Sequence, residues 1–158
     1  DGNCTREFLD YVKKESSDEI FTKYFIPANF LKLTEFKNDA IYFKDFNLFI
    51  NLKEANILIS SKKLKNAMDA SIAIFEKIKT AKSLVIVTDG PNIACGVSCE
   101  GAVKVRPKVI KGSVSRLGAG DAFLAYFLSY KELNPAASLK KSLFAAIRKT
   151  EKYLKAND

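Results

Sequence analysis

The stretch Leu117-Gly118-Ala119-Gly120-Asp121-Ala122-Phe123-Leu124 decides the reading of this chain. Two glycines bracket an alanine where a loop gives way to a helix with Phe123, Leu124, Phe127 and Leu128 on its apolar side. A helix start is an anion site, because its first N–H groups lack partners and the macrodipole places partial positive charge there. Glycines let a phosphate approach that backbone closely. Asp121, at the same spot, would repel a bound phosphate. Its carboxylate has a use if it is aimed at a hydroxyl: it takes the proton while the N–H groups stabilise the phosphoryl group in transfer. Taken alone, the stretch is equally a tight loop followed by an ordinary charge at a helix start.

Outward from this turn the pattern alternates strand and helix. C-terminal to it, a helix from about Pro135 carries Leu139, Leu143, Ile147 and Leu154 inward. N-terminal to it, Ala94 to Ser98 and Ala102 to Arg106 predict a hairpin around Glu100-Gly101. The turn Asp89-Gly90-Pro91-Asn92 precedes that hairpin. Ser83 to Thr88 is a β-branched apolar run of the kind that forms a central parallel strand covered on both faces. Leu64, Met68, Ile72, Phe75 and Ile78 recur at helical spacing, and Asp45 to Ile50 reads as a short buried strand with Asn51 as the turn after it. Residues 20–49 are the least regular, with Ala40-Ile41-Tyr42-Phe43 alternating as a strand would. Thr5 caps a helix through Phe8, Leu9 and Val12, and Ser16-Ser17-Asp18 starts a second short one. This order predicts an α/β layered domain.

Composition narrows the chemistry. With 158 residues, 47% apolar and 28% charged, the chain can bury a core, and it has no apolar run long enough to span a membrane. Asp1 to Arg6 is polar and reads as no signal peptide, so the expected location is cytoplasmic. Histidine is absent, which removes Ser-His-Asp and Cys-His catalysis and His-ligated metals. Acid–base work must then fall to Asp, Glu, Lys, Tyr or Cys. The net charge is +8, but the basic residues are dispersed singly or in pairs such as Lys13-Lys14, Lys62-Lys63 and Lys140-Lys141. They read as solvated helix faces, and no aromatic residues interleave with them as nucleic-acid binding would require. Cys4, Cys95 and Cys99 make neither a disulfide framework nor a zinc site and read as free thiols.

Gly118-Ala119-Gly120-Asp121-Ala122-Phe123 resembles the second signature of the ribokinase superfamily, also called the PfkB carbohydrate kinases. Ser83 to Gly90 is similar to the strand and Thr-x-Gly turn that precede the signature in that family, and Asn51-Leu52-Lys53-Glu54 is similar to its Asn-x-x-Glu motif. The resemblance runs from about Ile50 to Lys155, and more loosely over the whole chain. It implies a ribokinase-like layered fold, helices around a mostly parallel sheet, with only the C-terminal half present. Residues 1–158 would be the ATP-binding and catalytic-base portion. The implied activity is ATP-dependent phosphorylation of a hydroxyl on a sugar or nucleoside. The resemblance makes Asp121 the general base and the Gly118, Ala119 and Gly120 backbone the anion hole. Thr88 and Gly90 would border the nucleotide. Asn51 and Glu54 would help hold Mg²⁺, mostly through water. From the residues alone, Asn51 and Glu54 are a turn residue and a first-turn helix carboxylate.

The chain departs from the family pattern in places. Ser115-Arg116-Leu117 stands where the family has an Asp three residues before the first glycine, which argues against potassium activation. Val114-Ser115 leans toward a nucleoside acceptor such as pseudouridine. Arg116 reads as a surface charge, with a phosphate contact the lesser alternative. Ile93 stands near the place of the turn's second glycine. The stretch before Asn51 is long, so residues 20–49 read as an insertion or irregular region. The family's N-terminal half, with its Gly-Gly signature and β-lid, has no counterpart here. That leaves a sheet edge needing cover from the N-terminal half of the same protein, a partner chain or a second copy. The alternative function is a non-catalytic nucleotide-binding module derived from the family, and a basic nucleic-acid binder ranks last.

Overall fold

The computed structural model describes residues 5–16, 22–27, 30–59, 64–110 and 117–156. The helices are α1 (Arg6–Glu15), α2 (Phe30–Leu33), α3 (Leu52–Ile59), α4 (Ala67–Ile78), α5 (Ala119–Leu133) and α6 (Leu139–Ala156). The strands are β1 (Tyr24–Phe25), β2 (Asn47–Asn51), β3 (Leu84–Thr88), β4 (Ala94–Ser98) and β5 (Gly101–Val105), with single 3₁₀ turns at Thr34–Phe36 and Ala40–Phe43. They form one sheet in the order β1-β2-β3-β4-β5. β1, β2 and β3 run parallel, and β4 and β5 close the other side as an antiparallel hairpin.

Each face of this sheet carries its own core. Side chains alternate along a strand, so Leu48 and Ile50 of β2 and Val85 and Val87 of β3 point to one face, where Ile74 and Ile78 of α4 and Leu58 of α3 meet them. Phe49 and Ile86 point to the other, onto Phe123 and Phe127 of α5 and Leu139, Leu143 and Ile147 of α6. Both faces of β2 and β3 are thus covered, as their unbroken apolar runs require. No helix among the described residues is long and apolar enough to cross a membrane.

Local chemistry sets the element ends. Thr5 Oγ1 accepts from Phe8 N at 3.3 Å and caps α1. Asn66 Oδ1 accepts from Asp69 N at 2.9 Å and caps α4. The inward stripe of α4 is Ala67, Ala70, Ser71, Ile74, Phe75 and Ile78, and Ile72 is turned out at 40% exposure. The hairpin turns through Cys99-Glu100, with Ser98 paired to Gly101, and α6 starts at Leu139 rather than near Pro135. Cys95 is buried and Cys99 exposed, both as free thiols. The second short helix expected at Ser16-Ser17-Asp18 falls largely outside the described residues.

Ala40–Phe43 is not a strand but a 3₁₀ turn. Tyr42 N donates to Asp39 O and Lys44 N to Ile41 O, both at 3.1 Å, and this three-residue repeat buries Ala40 and Phe43 together while exposing Ile41. Four alternating residues carry too little periodicity to tell these states apart, and packing decides. The Phe43 ring lies 4.5 Å from that of Phe25, 5.0 Å from Phe36 and 5.2 Å from Tyr42. Phe43→Ala should therefore cost about 3–5 kcal/mol in chemical unfolding. Ile41→Ala, two residues away and exposed, should stay within about 0.5 kcal/mol. Equal losses would show that the aromatic cluster does not hold this region.

Candidate active site

Four elements converge at the carboxyl ends of β2 and β3, the place where open α/β sheets form their crevices. The register pairs Asn51 of β2 with Thr88 of β3. Beyond Thr88 the chain turns tightly: Asp89 N donates to Ile93 O at 2.8 Å and Asn92 N to Asp89 O at 3.0 Å. Gly90 takes a left-handed conformation in this turn, φ +51°.

Asn51-Leu52-Lys53-Glu54 forms a capping box at the start of α3. Asn51 Oδ1 accepts from Lys53 N at 2.9 Å and from Glu54 N at 3.0 Å. Glu54 Oε2 reaches back to Asn51 N at 2.8 Å. Burial pushes the Glu54 carboxyl above its ordinary range, and the hydrogen bonds from Asn51 pull the other way.

The glycine-rich turn starts α5. Gly118 sits at the cap in the left-handed region, φ +71°, and its carbonyl accepts from Ala122 N at 2.9 Å. A side chain at Gly118 would be strained by that φ, and its Cβ would meet the Tyr153 hydroxyl at 3.1 Å. At Gly120 nothing lies within 4 Å of where a Cβ would be, so its backbone faces open space. Asp121 is exposed in the first helical turn, and its carboxylate has no hydrogen-bond or ion-pair partner among the described residues.

One cleft of about 610 Å³ collects these groups. Ala119, Gly120 and Asp121 line it from α5, Asn51 and Glu54 from the β2–α3 junction, and Thr88 and Gly90 from the turn after β3. Gly118 is the cap of this helix and is not part of the lining. Val114, Ser115 and Arg116, and with them the potassium question, lie outside the described residues.

The opposite wall escapes a motif reading. It consists of the segment Pro107–Ile110 after β5 and of Ile147, Thr150, Glu151 and Leu154 on α6. Glu151 joins the two: its buried Oε1 accepts from Lys108 N and from Arg148, each at 2.6 Å. A lone acid on a Lys-rich helix was the available signal.

The cleft's donor set suits a hydrated divalent cation. Asn51 Oδ1 and one Glu54 oxygen are committed to backbone N–H groups, and no three acidic or thiol side chains cluster among the described residues. A Mg²⁺ held here would therefore keep water and phosphate oxygens as ligands. Its charge would offset the burial penalty on Glu54.

The family model of pfkB family carbohydrate kinases matches residues 44–148, and the chain belongs to that family. No curated protein sequence matches it. Among solved structures, a provisionally assigned sugar kinase from Clostridium perfringens superposes with a TM-score of 0.75 at 18% identity, over 94% of this chain and 45% of its own. Adenosine kinase from Schistosoma mansoni, solved with adenosine, gives 0.72 at 22% identity, over 96% and 47%. A mutant of phosphofructokinase-2 from Escherichia coli gives 0.62 at 18%, over 97% and 58%. At these identities the likeness is one of fold, and the chain spans about half the length of the structures it matches.

Asn51→Ala should cost about 1 kcal/mol by removing the acceptor from two N–H groups at the start of α3. Asn51→Ser, which restores a capping oxygen, should recover most of it. Denaturant midpoints of the two variants read the difference directly.

Proposed function

We propose that this chain is the ATP-binding and catalytic-base portion of a kinase that phosphorylates a hydroxyl of a sugar or nucleoside. One observation carries the reading: Asp121, a carboxylate without a partner among the described residues, stands at a helix start inside the same cleft as Asn51, Glu54, Thr88 and Gly90. An acid that served only helix stability would not need to share a crevice with the family's other motif residues.

In this reading Asp121 accepts the proton of the substrate hydroxyl as its oxygen attacks the γ-phosphorus. The N–H groups at the start of α5, with Ala119 and Gly120 on the cleft wall and Gly118 at the cap beside them, stabilise the charge on the transferring phosphoryl oxygens. Gly120 suits this because it puts no side chain between backbone and phosphate. Thr88 and Gly90 border the triphosphate. The apolar end of the cleft, Val109, Ile110, Ile147 and Leu154, supplies surface for the adenine ring. Asn51 and Glu54 orient the water shell of Mg²⁺, which when bound neutralises phosphate charge. None of this needs a histidine.

The acceptor pocket belongs to the remainder of the protein, an N-terminal half of the same chain or a partner. β1 offers it an edge, because β1 pairs with β2 alone among the described strands. The whole of residues 1–158 then forms one C-terminal portion, with 20–49 an irregular addition to the family pattern. Val114-Ser115 keeps pseudouridine among the candidate acceptors. Use of ATP is compatible with the cytoplasmic location expected from the sequence.

In the complete protein, Asp121→Asn should lower kcat by about 10²–10⁴-fold while leaving ATP affinity within about threefold. Undiminished turnover would remove Asp121 from the base role. ATP binding without turnover in the unsubstituted complete protein would instead assign a non-catalytic nucleotide-binding module.

A further inference from the structure

A second concavity, a groove of about 480 Å³ between β5 and α6, shares no lining residue with the cleft. Its rim is cationic. Lys104 comes from the end of β5 and Arg106 from just beyond it, Lys140 and Lys141 from the first turn of α6, and Arg148 from farther along α6. No acidic residue lines it. Arg148 is committed to Glu151 and lies with its guanidinium 4.7 Å from the Phe144 ring centroid. The side chains of Lys104, Arg106, Lys140 and Lys141 have no ion pair or hydrogen bond among the described residues.

Like charges gathered without counter-charges repel one another. Two of these lysines occupy the first turn of α6, where the macrodipole disfavours cations and where no acid is present. A bound polyanion would reverse the sign of both effects. The floor adds a second kind of recognition. Val105, Ala145 and Phe144 are apolar, and Phe144 stays 50% exposed although Arg148 stacks over it, which leaves ring surface open. A planar ring can stack there.

We propose that this groove binds a small phosphorylated ligand bearing a planar ring, of the nucleoside diphosphate class, independently of the cleft. The phosphates lie among Lys104, Arg106, Lys140 and Lys141, and the base lies on Phe144. The volume suits a small molecule. The cations also surround one concavity instead of following an extended stripe, which favours a nucleotide over a nucleic-acid strand.

The test titrates the ¹⁵N-labelled chain with ADP and, separately, with pyrophosphate. Saturable shifts are expected at the amides of Lys104, Lys140 and Phe144. A Lys140→Glu/Lys141→Glu pair should weaken ADP binding at these amides by about tenfold or more, with the rest of the spectrum unchanged as the control for folding. Phe144→Ala should weaken ADP several-fold and leave pyrophosphate unaffected. Shifts confined to the Gly120 region, or unchanged affinity after charge reversal, would overturn the site. Equal effects of Phe144→Ala on both probes would overturn the ring recognition. A single-stranded RNA that displaced ADP from these amides at matched phosphate concentration would overturn the nucleotide assignment.

Discussion

The parallel pairing of β2 with β3 is the constraint on which the rest of the molecule depends. Its register sets Leu48 opposite Val85 and Asn51 opposite Thr88. Because side chains alternate, the same register sends Leu48, Ile50, Val85 and Val87 into one core and Phe49 and Ile86 into the other. A slip of one residue in either strand would exchange the two faces at once, so the pairing is pinned by both cores. The polar groups where the strands end inherit that precision. Asn51 and Thr88 lie side by side because the apolar residues before them leave one way to align.

The cleft is built from helix starts and strand ends, and its polarity follows from that. α3 opens on a capping box whose carboxylate is partly desolvated, and α5 opens on a glycine turn with an acid beside bare N–H groups. The start of α5 presents backbone donors that favour anions, those of α3 are taken up by its capping box, and both starts add a carboxylate that favours a cation or a proton donor. Such a mixture suits a metal-bound triphosphate meeting a hydroxyl better than it suits a simple anion. The Glu151 link from α6 to Lys108 N closes the far wall with a buried charge-assisted bond.

Much of the architecture was legible in the chain. Runs such as Leu84–Thr88, short, β-branched and apolar at successive positions, point to strands buried on both sides. The Asn51-x-x-Glu54 and Gly118-Ala119-Gly120-Asp121 patterns marked helix starts that the structure realises. Ala40–Phe43 misled, because four residues are too few to separate a two-residue alternation from a three-residue repeat, and packing chose the repeat that buries Ala40 with Phe43. Ile72 misled for a related reason: the stripe of α4 turns by one residue once Ala70 and Ser71 pack against the sheet. The Lys108 to Ile110 wall was silent because it has no periodicity and owes its place to Glu151, 43 residues away.

By itself the sequence determined most strands and helices after Asp45, where α1, α3 and α5 begin, and which side chains can do chemistry in a chain without histidine. Those properties are local, written in periodicity, capping residues and residue type. Only the tertiary structure decided what meets what. It brought Asn51, Thr88 and Asp121 from three distant segments to one crevice, with Gly118 as the cap of the helix that carries Asp121. It also gathered Lys104, Arg106, Lys140, Lys141 and Arg148, dispersed along the chain, into one groove where α6 lies along β5. Charge dispersed in sequence carries no field of its own; packing of the elements beneath it concentrates it.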